Sequence, residues 1–333
     1  MKHINVALFV PHAGCPHRCS FCNQKTISGS LRPLCAQEVD AACRIALDSG
    51  KVSPESSEIA FFGGSFTAID SAYMTELLAA ADKYIKDGYF KGVRISTRPD
   101  CIDREILGVL KSFSVTSIEL GAQSMSDKVL SVNERGHTSD DVRNASALIR
   151  EFGFELGLQM MTGLMGSDRE TDLFTGREII KLCPETVRIY PTVVLENTAL
   201  AEHLKDGSYI PPSLDETVGV CSELLEMFND AGIRVIRLGL HSGGGVDGGY
   251  LAGAYHPALR ELCEGEIYLK KMLSALSGKD KSRSYIIEVS KSALSKAKGQ
   301  SKRNEKALKN QGFCCIIKGN EFLKEYEIKV KEN

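Results

Sequence analysis

The chain contains no stretch of about 18 or more apolar residues, so no membrane-spanning helix is expected. Its start, Met1-Lys2-His3-Ile4-Asn5, lacks the long apolar region and cleavage site of a secretion signal. Eleven cysteines without such a signal fit a reducing compartment better than a disulfide framework, and a cytoplasmic location is expected. There is no internal repeat and no long low-complexity tract, which leaves no sign of a repeat array.

What is present is ordinary in bulk and uneven in detail. Hydrophobic content of 43% and charged content of 25% are typical of a globular protein, and 333 residues allow one large domain plus a small one. Residues 270–333 hold 16 Lys and Arg against 7 Asp and Glu, a net of +9. That leaves 25 against 36, a net of −11, in residues 1–269. A basic tail on an acidic body points to nucleic acid or another polyanion at that end, or to a solvated lysine-rich face.

Short apolar runs alternate with helical patterns. Strands are expected at Ile4–Val10, Glu58–Phe62, Val93–Thr97, Ser117–Leu120, Glu155–Met161, Val187–Tyr190 and Arg234–Leu240. Helices are expected at 71–86, 104–111, 140–152, 169–182 and 214–231. This alternation predicts an α/β fold, a partial or full parallel (β/α) barrel over 1–269, with functional groups at the C-terminal strand ends. Residues 270–333 read as a separate small basic α+β unit, with strands near 285–289, 313–318 and 326–330 and a lysine-rich helical stretch over 291–310. The glycine-rich stretch 242–249 reads as a loop beside the active face, or as a plain surface loop.

Three cysteines form a tight cassette, Cys15-Pro-His-Arg-Cys19-Ser-Phe-Cys22, directly after the first strand. Thiolates are the usual ligands of [4Fe–4S] clusters. Three of them, with no fourth nearby, would leave one iron open. Cys35 and Cys43 fall outside the cassette. The alternatives are zinc, which usually takes four ligands, or three structural thiols. An open iron suits chelation by the amine and carboxylate of S-adenosylmethionine (SAM), whose cleavage yields a 5′-deoxyadenosyl radical.

Other residues fall at the same strand ends. Gly63-Gly64-Ser65 lets backbone approach a ligand closely, or is an ordinary turn. Thr97 could bond a ribose or a carboxylate, and Arg98 an anion. Glu119 and Gln123 flank the fourth strand, where Glu119 reads equally as a structural barrel group. Gln159, Met161 and Tyr190 would line the adenine side. His137, in Asn133-Glu-Arg135-Gly-His137, reads as a helix-capping or surface histidine. His256, in Tyr255-His-Pro257, is an acid–base candidate or a loop anchor.

The cassette, with Phe21 before its last cysteine, resembles the signature of the radical SAM superfamily. Phe62-Gly-Gly-Ser-Phe-Thr67, Ile118-Glu-Leu-Gly-Ala-Gln-Ser124, Arg135-Gly-His137, Arg188-Ile-Tyr-Pro-Thr192 and Gly253-Ala-Tyr-His-Pro-Ala258 resemble the radical domain of the elongator catalytic subunit and its bacterial relatives. The likeness covers roughly residues 1–270, and about 65 further residues are too few for an acetyltransferase fold. It implies Cys15, Cys19 and Cys22 as cluster ligands, and Phe21, Gly63, Gly64, Ser65, Thr97, Gln123, Gln159 and Tyr190 around SAM. It also implies an electron donor such as flavodoxin or ferredoxin. Three functions follow: a radical enzyme acting on tRNA or other RNA, one acting on a small molecule in the manner of porphyrinogen oxidases, or a non-catalytic iron–sulfur protein.

Overall fold

The computed structural model describes residues 4–10, 15, 18–23, 32–240 and 248–333. Residues 242–247 of the glycine-rich stretch lie outside the described residues.

Seven strands form one parallel sheet in the order β1 (Ile4–Val10), β2 (Ser57–Gly63), β3 (Gly92–Thr97), β4 (Val115–Gln123), β5 (Glu155–Thr162), β6 (Thr186–Pro191), β8 (Arg234–Leu238). The sheet is an open half-barrel, since β1 and β8 remain edges. The skipped strand β7 (Val193–Leu195) pairs antiparallel with β9 (Tyr250–Gly253) in a separate two-stranded sheet.

The helices that cross between strands lie outside the sheet. They are α1 (Ala36–Asp48), α2 (Ser71–Lys86), α3 (Arg104–Lys111), α4 (Asp127–Val132), α5 (Ser139–Glu151), α6 (Arg169–Lys181), α7 (Ala199–Lys205) and α8 (Leu214–Asp230). Their starts are written in the sequence. Asp70, Asp103 and Asp168 each accept from the backbone N–H three residues on, and Thr138 and Ser213 close capping boxes. Such caps are worth about 1 kcal/mol each. Outward strand residues such as Ile59, Phe61, Ile95, Ile118 and Leu158 meet helix residues such as Leu77, Leu107, Ile149 and Leu224 in one core.

The inward face is different. Glu58, Arg94, Glu119 and Arg188 are buried there and linked in sequence. Arg94 Nε donates to Glu58 across 2.8 Å and its Nη1 to Glu119 across 3.3 Å. Arg188 grips both carboxylate oxygens of Glu119, at 2.6 and 2.9 Å. The half-barrel interior is thus filled by an ionic ladder below its C-terminal rim.

Helix α9 (Leu259–Leu276) runs unbroken through the position 269/270. Its Leu259, Cys263 and Ile267 belong to the barrel core, and its Tyr268, Met272 and Leu276 to a second core with Tyr285, Ile287, Val289, Leu308 and Ile317. That second core closes under a three-stranded sheet in which β10 (Ser284–Ser290) lies between parallel β11 (Cys314–Asn320) and antiparallel β12 (Ile328–Glu332). The lysine-rich stretch is not one helix. It divides into α10 (Leu294–Lys298) and α11 (Arg303–Asn310), because Gly299, Ser301 and Lys302 all take positive φ.

Candidate active site

The cysteine loop sits at the C-terminal rim and is pinned from outside. Ser20 N–H donates to Asn133 O across 3.1 Å and its hydroxyl to Asn133 Oδ1 across 2.9 Å. Leu200 N–H donates to Ser20 O, and Asn23 to Glu196 O. Phe21 packs, half-buried, against the cluster of Val194, Leu200, Ala201 and Tyr209. Cys22 N–H donates to Cys19 O. All three cassette cysteines are free thiols. Among the described residues no three Cys, His, Asp or Glu side chains already converge as a metal site.

Two arginines stand behind the loop. Arg135 Nη1 donates to Cys19 Sγ across 3.0 Å, and its Nη2 to Gly121 O across 2.8 Å. Arg98 grips Asp100 through two bonds, at 2.9 and 2.8 Å, and also donates to the backbone O of Arg135. Desolvation pushes the Cys15 thiol up; a bond from the Ser65 backbone and the charges of Arg98 and Arg135 act the other way.

The Gly-Gly-Ser turn is joined to the end of β3 by a one-way chain of hydroxyls. Thr67 Oγ1 must donate to Cys101 O, at 2.6 Å, because a carbonyl only accepts. Thr97 therefore donates to Thr67, at 2.6 Å, and Ser65 to Thr97, at 2.8 Å. Ser65 Oγ in turn accepts from Arg98 N–H, at 3.2 Å. All three hydroxyl protons are engaged inside the protein, so Ser65 and Thr97 can offer a ligand only lone pairs. Gly63 has its own reason to be glycine. Its φ is +118°, and a Cβ there would lie 2.6 Å from Val10 O.

Gln123 ends β4 at a register shift with φ +63°, a left-handed conformation for a non-glycine. Its Oε1 is buried without a partner, as are Arg135 Nε and His137 Nδ1. Three orphaned polar atoms at the end of β4 and in the turn after α4, one of them on the arginine that touches Cys19, mark a place where a ligand is expected. His137 is neither a surface residue nor a helix cap, contrary to its sequence reading. It is buried, with Nε2 3.2 Å from Ala122 O. Desolvation, then Arg135 and Arg98, lower its pKa to about 4, so it is neutral at pH 7.

The deeper sequence candidates divide. Gln159 Nε2 donates to Glu119 Oε2 across 3.0 Å and joins the ionic ladder, as does Glu119 itself. Tyr190 lies beside Arg188 and Arg237, and burial raises its pKa. His256 Nδ1 accepts from Ala258 N–H across 3.1 Å and anchors its own loop ahead of α9. The roles of Arg135 and Asn133 are not visible in sequence, although both stand in the polar turn Asn133–His137. The signal was that turn's density of polar groups.

Two adjoining domain models match, the Radical SAM superfamily over residues 9–174 and the Radical_SAM C-terminal domain over 184–269. The chain belongs to the radical SAM superfamily. Members of this superfamily use a [4Fe–4S] cluster and SAM. The chain is 35% identical over 136 residues to a tRNA uridine(34) acetyltransferase of Dehalococcoides mccartyi, covering 40% of this chain and 30% of that protein. It is 32% identical over 162 residues to Elongator complex protein 3 of Schizosaccharomyces pombe, covering 47% of this chain and 29% of that protein. The matches thus span less than a third of these relatives' length. The archaeal Methanocaldococcus infernus Elp3 structure shares the fold, with a TM-score of 0.65 at 22% identity over 81% of this chain and 63% of that one.

Proposed function

We propose that this radical SAM chain cleaves SAM reductively to modify an RNA, with tRNA as the first candidate. The observation that carries the reading is the cysteine cassette held at the half-barrel rim with Arg135 on Cys19. The free thiols and the orphaned Gln123 Oε1 suit a cluster and an amine- or hydroxyl-bearing ligand beside it. A cluster and SAM held there would supply one-electron reductive cleavage of a carbon–sulfur bond of SAM.

In this reading Cys15, Cys19 and Cys22 ligate the cluster. Arg135 would keep a cation beside the Cys19 sulfur when that sulfur holds the cluster, and Arg98 holds Arg135 from behind through its backbone carbonyl. Gln123 Oε1 accepts from the ligand, and neutral His137 adds no charge near the cluster. Gly64, Thr97 and Tyr190 would stand around SAM, with Phe21 buttressing the loop. Flavodoxin or ferredoxin is the expected class of electron donor, and the cytoplasm the expected location. Among the described residues no helix is long and apolar enough to cross a membrane.

RNA is preferred over a small molecule because a relative 35% identical over 136 residues is named a tRNA uridine(34) acetyltransferase. The basic tail supports it. Lys306 and Lys309, exposed on α11 three residues apart, have no carboxylate partner among the described residues. Arg303, by contrast, is bridged to Asp215 at 3.0 Å. The test is anaerobic reconstitution followed by retention of tRNA on the protein at graded salt. Steeply salt-dependent retention is expected, whereas absence of retention at low salt returns the small-molecule reading.

A further inference from the structure

The edge strand β8 carries a charge that the fold does not neutralise. β8 runs parallel to β6, and their register shifts so that Val187 faces Val235 while Arg188 faces Arg237. Ile236 is thus an extra residue, and the bulge turns Arg237 onto the inward face that Arg188 occupies. Bulges next to active sites commonly re-aim a side chain in this way.

Like charges directly opposite across two strands repel. Arg188 is neutralised by Glu119, which it holds through two bonds. Arg237 has no such partner. Its Nε donates to Gly239 O across 2.7 Å, and no carboxylate pairs with it among the described residues. Its neighbours are Tyr190, Tyr255 and two more cations, Arg188 and Arg260. Arg260 is itself occupied, by Glu264 at 3.0 Å and Val235 O at 2.8 Å. Burial, then repulsion by Arg188 and Arg260, weakens Arg237's hold on its proton. A half-buried guanidinium among cations, with its outer fork open, is costly unless an anion completes it.

We propose that Arg237 holds a phosphate group of the RNA substrate at the rim of the half-barrel, an inference that rests on the RNA reading above. The open Nη1 and Nη2 fork matches two phosphate oxygens. Its position at the C-terminal end of β8 puts it on the same rim as the cysteine loop, across the sheet from β1. A phosphate held there fixes the reach of the attached nucleotide toward the cassette.

The test uses the full, reconstituted chain and total tRNA in filter binding across several salt concentrations. Arg237→Gln is expected to weaken binding at low salt roughly ten-fold. It should also flatten the log–log salt slope by about 0.7 to 0.9, the effect of one lost phosphate contact. Arg237→Lys should keep the slope. SAM affinity, measured by equilibrium dialysis, should not change in either variant. Unchanged tRNA affinity and slope in Arg237→Gln overturn the inference. So does a fall in SAM affinity with tRNA binding intact, which would give the fork to the SAM carboxylate. If the unaltered chain retains no tRNA, the RNA reading itself has failed, and this inference falls with it.

Discussion

Arg135 donates to the Cys19 sulfur across 3.0 Å while its other terminal nitrogen holds Gly121 O, so one guanidinium ties the cysteine loop to the end of β4. Hydrogen bonds and positive charge at cluster sulfurs favour the reduced state. Arg135→Gln is therefore expected to lower the potential of the reconstituted cluster. A tenfold loss of preference for the reduced form corresponds to about 60 mV for one electron. A redox titration followed by electron paramagnetic resonance measures it. A potential that does not move would detach Arg135 from the cluster.

Iron content separates the cassette from the other thiols. Cys15→Ala, Cys19→Ala and Cys22→Ala should each lose the roughly four irons expected of a [4Fe–4S] cluster after anaerobic reconstitution. Cys35→Ala should keep them. Cys35 stands at the start of α1, where its N–H donates to Glu38 Oε2 across 3.0 Å. Loss of iron in Cys35→Ala would mean that the ligand set is wrong.

The ionic ladder predicts an acid-sensitive fold. Burial alone pushes the Glu119 carboxyl up, but the adjacent Arg188 and Arg94 charges more than offset it and hold it below the usual carboxylate range. The stability it contributes is complete above the unfolded pKa and is lost as pH falls through the folded one. Glu119→Gln strands the buried Arg188 guanidinium, while Arg94 keeps Glu58, and should cost about 3–5 kcal/mol at pH 7. Denaturant unfolding at pH 7 and at pH 3 should show the variant's deficit shrinking in acid. An equal deficit at both would remove the charge from the explanation.

Asp172 behaves in the opposite sense. Desolvation raises its pKa to about 6, despite donation from Ser167 across 2.5 Å and from Gly163 N–H across 2.9 Å. The native state therefore binds the extra proton between the ordinary carboxylate pKa and about 6, so stability falls as pH rises through that window. Asp172→Asn can keep the Gly163 bond and reverse the Ser167 one. It should add about 2 kcal/mol at pH 7 and little near pH 4, as thermal melts across pH would record. A variant less stable at pH 7 would contradict the raised pKa.

The fold was legible where periodicity and caps agreed. The patterns at Ile4–Val10 and Ser71–Lys86 become elements with those same bounds. Helix α1 is harder to see, because it buries only Val39 and Cys43 and starts at a cysteine, a poor cap. Helix α9 hides the division between the two cores, since one continuous amphipathic run serves both. In the site, the cysteine spacing carries its chemistry openly. The directions of the Ser65–Thr97–Thr67 hydroxyl chain do not, because they are set by Cys101 O, a partner that only the fold supplies. A charged residue between apolar neighbours, as in β3, β4 and β6, would ordinarily mark a solvent face. Here they meet inside the half-barrel, because acids and bases fall within bonding distance on neighbouring strands and, for Glu119 and Arg188, across β5.

In the reading proposed above, SAM cleavage is coupled to RNA. It is tested most directly by incubating the reduced, reconstituted protein anaerobically with SAM, with and without tRNA, and measuring 5′-deoxyadenosine by mass spectrometry. 5′-Deoxyadenosine is expected in both, with more in the presence of tRNA, and none from Cys19→Ala. Protein that carries a full cluster yet forms no 5′-deoxyadenosine under either condition would contradict it.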